Sequence, residues 1–326
     1  MLRLALIDSD DAIVRHARIA RRLRNARFTI VVVSDRPKAR ATTDSLGAEI
    51  CIDSFDSLLA EHSDDFDAVL LPSAIVIGER GCERAAEAGK HVLVESPFAI
   101  SKNAASQIIA ACRSASVRLM VGQSLRFSPA LRTVMENLDA GRLGEPGLLR
   151  IHRWNAVAGT LRVPSAAANG VCSLLLQLGG EIDLACWLFG RRPSAVYAVG
   201  SGELGYVQLH LGFAGGGMAV IDHSERLPPG DGYFSLSLIG STGAAYADDH
   251  HNMQLLYGGG HPASLKTGEA DLQSLAQLQE FIDAIEQDRE PAITGTDGLR
   301  AIEVAEAAAA ALTTGEAVHM PEERLS

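Results

Sequence analysis

The sequence predicts an α/β protein in two parts: an N-terminal doubly wound parallel sheet, then an α+β unit whose sheet is open and largely antiparallel. Two observations carry this. Up to Gly122, short apolar runs alternate with amphipathic stretches, the pattern of strands joined by crossover helices. Beyond Gly122, strand-like runs follow one another with only turns between them.

The first strand is Leu2–Ile7, a short apolar run, and a helix follows over 13–23. Further strands are predicted over 28–33, 49–52, 68–71, 91–94 and 118–121, with helices over 79–88 and 102–114 among the intervening segments. Gly47 and Gly89 stand where helices should stop. In the second part, 129–138 and 174–188 read as helices. Arg150-Ile-His-Arg-Trp154 reads as its first strand. More strands follow over 196–200, 206–213, 218–223, 234–239 and 253–256, separated by turns such as Gly215-Gly-Gly217 and Pro228-Pro-Gly-Asp-Gly232. Helices over 272–287 and 299–312 close the chain. The predicted domains are 1–122 and 123–326, and an open sheet face is a natural surface for self-association.

Composition narrows the function classes. With 47% hydrophobic and 21% charged residues the chain is expected to be globular. No run approaches the roughly 20 apolar residues that span a bilayer. The start lacks a cleavage signal, so a cytoplasmic protein is expected. A net charge of −11 argues against nucleic acid as partner. Arg15, Arg18, Arg21, Arg22, Arg24 and Arg27 crowd the first helix and its exit, and read as a solvated face. Cys51, Cys82, Cys112, Cys172 and Cys186 are odd in number and widely spaced, as small buried hydrophobes would be. The acidic, histidine-containing run Asp248-Asp-His-His-Asn252 reads as a solvated loop, and no metal site is expected.

Between the first strand and helix, a dinucleotide-binding fold would carry G-x-G-x-x-G, glycines that allow backbone to approach a pyrophosphate. Here the turn reads Asp8-Ser-Asp-Asp-Ala-Ile13, with Asp8, Asp10 and Ile13 at the glycine positions. A carboxylate about 5 Å from a phosphate charge costs roughly 3 kcal/mol at an effective dielectric near 20. Asp10 or Asp11 is also a good N-cap, able to fill the anion site at the helix terminus from within.

Several motifs, in order and spacing, give the chain its resemblance to a known family. They are Glu87-Ala-Gly-Lys-His-Val-Leu-Val-Glu-Ser-Pro97, Leu119-Met-Val-Gly-Gln-Ser-Leu-Arg-Phe-Ser-Pro129, Gly141-Arg-Leu-Gly-Glu-Pro146, Glu181-Ile-Asp-Leu-Ala-Cys-Trp-Leu-Phe-Gly190 and Gly240-Ser-Thr-Gly243. On these the chain resembles the Gfo/Idh/MocA oxidoreductases, relatives of glucose–fructose oxidoreductase and inositol dehydrogenase, over nearly its whole length. The resemblance implies a Rossmann domain for NAD(P), a C-terminal domain whose sheet forms dimers or tetramers, and a sugar-like or cyclitol ligand. It also implies hydride transfer aided by a lysine in a Glu-Lys-Pro motif and a later histidine–aspartate pair.

The residues depart from that pattern. Glu-Lys-Pro is Glu95-Ser96-Pro97, with a strained or cis turn expected at Pro97. Gly180 stands at the histidine position and Leu176 at an upstream acid position, while Asp183 survives. The usual Thr-Pro-Asn-x-x-His loop is Ser73-Ala-Ile-Val-Ile-Gly78, read as an apolar plug. Asp35 stands where the family's acid holds the adenosine ribose, and Arg36 could meet a 2′-phosphate; Glu95 and Pro97 complete the candidate cofactor contacts. For chemistry the candidates are Glu95, Asp183 and His152, with His223 a further histidine on a sheet strand. Two readings stay open. One is a non-catalytic small-molecule binder, regulatory subunit or partner of an active enzyme; the other is an active NAD(P)-dependent oxidoreductase with a remodelled site. A cofactor-independent lyase or isomerase working through Glu95 or His152 is a third class.

Overall fold

The structure is a computed structural model, described here for residues 1–7, 10–33, 36–73, 77–78, 80–156, 173–201, 204–228, 231–248, 253–257, 263–266 and 270–324. It divides into two compact units: 1–124 with 270–299, and 125–269 with 300–326.

The first unit is built on β1 (Leu2–Ile7), β2 (Ala26–Val32), β3 (Ile50–Ile52), β4 (Ala68–Leu71), β5 (His91–Glu95) and β6 (Leu119–Gly122), all parallel, in the order β3-β2-β1-β4-β5-β6. Helices α1 (Asp10–Ile19), α2 (Arg36–Leu46), α3 (Phe55–Glu61), α4 (Gly81–Glu87) and α5 (Lys102–Ser114) connect successive strands. Strands buried on both faces need continuous apolar runs, and Leu4, Leu6, Val31, Val69, Val92 and Val121 supply them. Ser54 and Ser101 start α3 and α5 by accepting from the amides of Ser57 and Ala104. Gly47 and Gly89 end α2 and α4 at φ +69° and +73°, as their positions in the sequence suggested. The strand order reverses between β1 and β4, which opens a crevice at the carboxyl ends of these strands.

In the second unit, α6 (Pro129–Asp139) precedes the long strand β7 (Pro146–Ala156); α7 (Ser173–Gln177) and α8 (Gly179–Phe189) come next. They are followed by β8 (Ala195–Ser201), β9 (Tyr206–Gly212), β10 (Met218–Leu227), β11 (Gly232–Gly240), β12 (Ala244–Asp248), β13 (Met253–Tyr257) and β14 (Ala263–Lys266). The chain ends with α9 (Ala270–Glu286), which belongs to the first unit, α10 (Gly295–Thr314) and β15 (Val318–His319). The nine strands run β14-β13-β12-β11-β7-β10-β9-β8-β15, antiparallel except for the central parallel pair β7 and β10. Alternation is strict: Leu149, Ile151, Ala219, Ile221, Leu209 and Leu236 lie under the helices, with α8 packed on β7 and β10. The other face is open, and Tyr197, Val199, Tyr206, Met218, Ile239 and Tyr246 are exposed on it.

The predicted fold class is the one observed. Three details differ from expectation. The helix expected over 174–188 is two, meeting at Leu178. Strands β12, β14 and β15 were not foreseen. Cys51 is exposed, whereas Cys82, Cys112 and Cys186 are buried; burial pushes the Cys112 thiol up to about 12, as befits an inert core residue.

Candidate functional site

In the first unit the residues that matter lie at the carboxyl ends of the parallel strands. A cavity of about 10 Å³ is lined by Leu6 and Ile7 of β1, His16 of α1, Leu71 and Pro72 after β4, and Glu95 at the end of β5. That volume is the room of about one water. Arg15 on α1 reaches Glu95, with Nη1 3.3 Å from Oε1. Because β4 lies between β1 and β5, this ion pair lies beside the point where the strand order reverses. Glu95 pairs in register with Gly122, and a Cβ at Gly122 would fall 2.6 Å from Glu95 Oε2, so a larger residue there would displace the carboxylate. Burial pushes the Glu95 carboxyl above its ordinary value, opposed by the Arg15 charge and a hydrogen bond from Gln277 of α9.

The Ser96–Pro97 bond is cis, as the sequence suggested. Ser73, Gln123 and Gln277 are buried, and Ser73 Oγ, Gln123 Oε1 and Gln277 Oε1 have no hydrogen-bond partner among the described residues. Asp8, Asp35 and residues 74–76 lie outside the described residues, as do the side chains of Asp10, Asp11, Ile13 and Arg36. Of the arginines on the first helix and its exit, Arg18, Arg21, Arg22, Arg24 and Arg27 are exposed, as a solvated face requires, and Arg15 is half-buried. Besides Arg15, Arg18 pairs with Asp271, Arg24 with Asp283, and Arg27 with Glu49. The first two of these acids sit on α9, which packs along α1; a helix read in isolation gives no sign of such a neighbour.

In the second unit, Asp183 on α8 is held at two points by Arg126, at 2.7 Å from Nε and 2.5 Å from Nη2. The two side chains are 2% and 9% exposed. Two residues before Asp183, Glu181 accepts from Nε of Arg153 on β7 at 2.8 Å, and the Arg153 guanidinium lies 4.7 Å over the Phe234 ring of β11. Arg153 therefore faces the helices. Its neighbour His152 must point to the opposite, open side of the sheet. There His152 Nδ1 lies 3.1 Å from Asp222 Oδ2, an oxygen that also accepts from Trp154 Nε1 at 2.9 Å. His152 and Asp183, two candidates for chemistry, are thus on opposite sides of one sheet.

His223 lies on the covered side of β10, opposite Arg153 in the parallel register, with Nε2 3.8 Å from Glu225 Oε1. Position 180, at the start of α8, carries no side chain. Gln277 and Glu225 do not stand out in the sequence, and Arg15, Arg126 and Arg153 stand out only as part of an arginine cluster, a motif and a strand, not as site residues. All but Glu225, which neighbours His223 on its own strand, take their partners from a distant element, which local pattern does not encode. Among the described residues no group of three or more His, Cys, Asp or Glu side chains could hold a metal ion, and Asp248-Asp-His-His-Asn252 falls mostly outside them.

Residues 12–123 match a family model described as "Oxidoreductase family, NAD-binding Rossmann fold", and residues 135–320 match its companion, "Oxidoreductase family, C-terminal alpha/beta domain". The chain belongs to the Gfo/Idh/MocA oxidoreductase family. It is 26% identical over 314 residues to the uncharacterized oxidoreductase YrbE of Bacillus subtilis, covering 88% of this chain and 87% of that one. To an inositol 2-dehydrogenase of Rhizobium meliloti it is 27% identical, covering 87% and 89%. Among solved structures, scyllo-inositol dehydrogenase from Lactobacillus casei, with NAD(H) and scyllo-inositol bound, has the same fold: TM-score 0.78 at 19% identity, over 98% of this chain and 99% of that one.

Proposed function

We propose that this member of the family is a non-catalytic small-molecule binder, acting as a regulatory or partner subunit, that has given up hydride transfer. The observation that carries this reading is the Arg15–Glu95 ion pair, which engages the carboxylate at the end of β5, beside the point where the strand order reverses. A dinucleotide of the family kind would need the crevice there, and the residues present do not fit one. Ser96 offers a hydroxyl in place of an ammonium, the crevice-facing carboxylate is already taken by Arg15, and the phosphate turn is acidic in sequence. Asp35, Arg36, Glu95 and Pro97 are the residues left to contact an adenosine or nicotinamide end. In the second unit, Asp183 is committed to Arg126 and position 180 is glycine, so no histidine–aspartate pair stands there to move a hydroxyl proton.

A sugar or cyclitol is the ligand class we assign. The relatives' names support it, and the C-terminal domain, residues 123–326, would hold it. The exposed Tyr197, Val199, Tyr206, Met218, Ile239 and Tyr246 support self-association through the open sheet face. The alternative, an active NAD(P)-dependent oxidoreductase with a remodelled site, draws support from the dehydrogenases among the relatives. Titration of the full chain with NADH and NADPH, followed by nucleotide fluorescence and by heat, separates the two. The proposal expects no saturable binding below millimolar nucleotide. Micromolar affinity for either cofactor would establish the alternative.

A further inference from the structure

Beyond α10 the chain turns back along the outer edge of the nine-stranded sheet. There β15 pairs antiparallel with β8, Val318 opposite Val196 and His319 opposite Ala195. Single contacts extend the pairing: Met320 N donates to Ser194 O and Arg192 N to Glu323 O, both at 2.9 Å, and Arg191 bridges Arg324. Two arginine side chains meet this segment, Arg192 at 11% exposure and Arg300 of α10 at 9%. Arg192 Nη1 lies 2.8 Å from Glu303 Oε2 and 3.4 Å from Glu323 Oε2, and Arg300 Nη2 lies 3.4 Å from Glu323 Oε1. Arg192 Nη2 also donates to the Pro321 carbonyl at 2.8 Å. Glu323 thus supplies one carboxylate to two nearly buried guanidiniums.

The segment and its receptor are built differently. None of residues 313–324 is buried, so backbone pairing and the Glu323 carboxylate, rather than apolar packing, hold the segment on the edge. Segments with few buried apolar contacts open at low free energy. The receptor is poorly suited to stay empty. A guanidinium held out of water is strongly disfavoured without its carboxylate, and a bare β8 edge would present unpaired amides and carbonyls. An occupant of the same chemistry is what the site selects.

We infer that the β8 edge, with Arg192 and Arg300, is a receptor for an extended carboxylate-bearing segment, and that residues 318–324 of a second copy occupy it by exchange. A second copy brings the same strand pairing and the same carboxylate, so exchange loses none of the contacts above. Residues 313–317 form the link. All five are exposed, and Gly315 takes φ +74°, the left-handed region that favours glycine. Five residues span at most about 18 Å, so the two β8 edges must lie side by side, each copy giving and receiving one segment about a two-fold axis. This contact uses the edge of the sheet rather than its open face. It goes beyond the small-molecule reading, which stands whether or not exchange occurs.

The test is cross-linking in the full chain. Ala195→Cys and His319→Cys place cysteines at opposed positions of an antiparallel pair, within disulfide reach. The two variants are prepared apart, mixed and oxidised with diamide, and the linked peptides are identified by mass spectrometry, which separates them from links through native cysteines. A disulfide between positions 195 and 319 in this mixture joins two chains. It should form, with a yield at least fivefold lower when Glu323→Gln is added to the His319→Cys chain. A double variant carrying both cysteines should form the same link. If the double variant links only within its own chain and the mixed variants do not link, exchange is overturned. Equal yield with and without Glu323→Gln would mean chance collision, and would overturn the anchored receptor. No 195–319 link in any sample would mean that the segment leaves β8 unpaired, and the inference would fall with it.

Discussion

Arg126 and Asp183 show how a buried ion pair fixes a candidate site residue in place. A two-point guanidinium–carboxylate pair has the geometry that offsets desolvation, and at 9% and 2% exposure neither partner can turn to water if the other is removed. Arg126→Ala should therefore cost about 3–5 kcal/mol in urea unfolding. Asp183→Asn, which keeps the shape and two acceptor lone pairs, should cost clearly less. Equal, small losses would show that the pair is not structural. None of this was legible from residues alone. Asp183 was noticed through its motif, but its partner lies 57 positions away on a short 3-10 turn, and no periodicity links the two. The same holds for Glu95. Its motif drew attention, while Arg15, 80 positions earlier, looked like one of several surface arginines.

At the scale of elements, the sequence was readable wherever burial imposes a period. The parallel strands of the first unit show as apolar runs because both faces are covered. Strand β12 did not show, because Ala245 and Ala247 fill its inward positions and alanine carries no strand signature. Its place is set by pairing with β11 through the Gly240-Ser-Thr-Gly243 turn. There a Cβ on Gly240 would stand 2.0 Å from the Leu143 carbonyl oxygen and 3.3 Å from that of Glu145, both of them backbone atoms. No rotamer change relieves such a clash. Gly240→Ala should destabilise the fold by about 2 kcal/mol or more, read as a lowered midpoint in chemical denaturation. A neutral result would mean that the turn shifts freely. The family motif around Gly240 was visible in the sequence, but the reason for a glycine needs the facing carbonyls.

For the molecule as a whole, the open face of the nine-stranded sheet is the surface on which the proposed self-association rests. Its exposed aromatic and aliphatic side chains lie on one surface, a composition that favours association. Ile239→Asp, combined with Met218→Lys to spread the change across strands, should shift the chain toward monomer in sedimentation while leaving the thermal unfolding of the monomer within a few degrees. A wild-type monomer at micromolar concentration would contradict self-association through this face. The open sheet was anticipated from its turn-separated strands; the list of residues on its exposed side was not, since one slip in register exchanges the two faces.

Strand β7 has a consequence for how the chain is made. It is the first strand of its sheet to leave the ribosome, yet it ends at the sheet's centre, between β10 and β11. Its register partners Met218 and Phe234 follow Leu148 and Arg153 by some 70 and 80 residues. Until they emerge, an eleven-residue strand has both edges unpaired. Synthesis of this chain thus includes an interval of exposure to aggregation that the finished fold conceals, and chaperone demand should concentrate there.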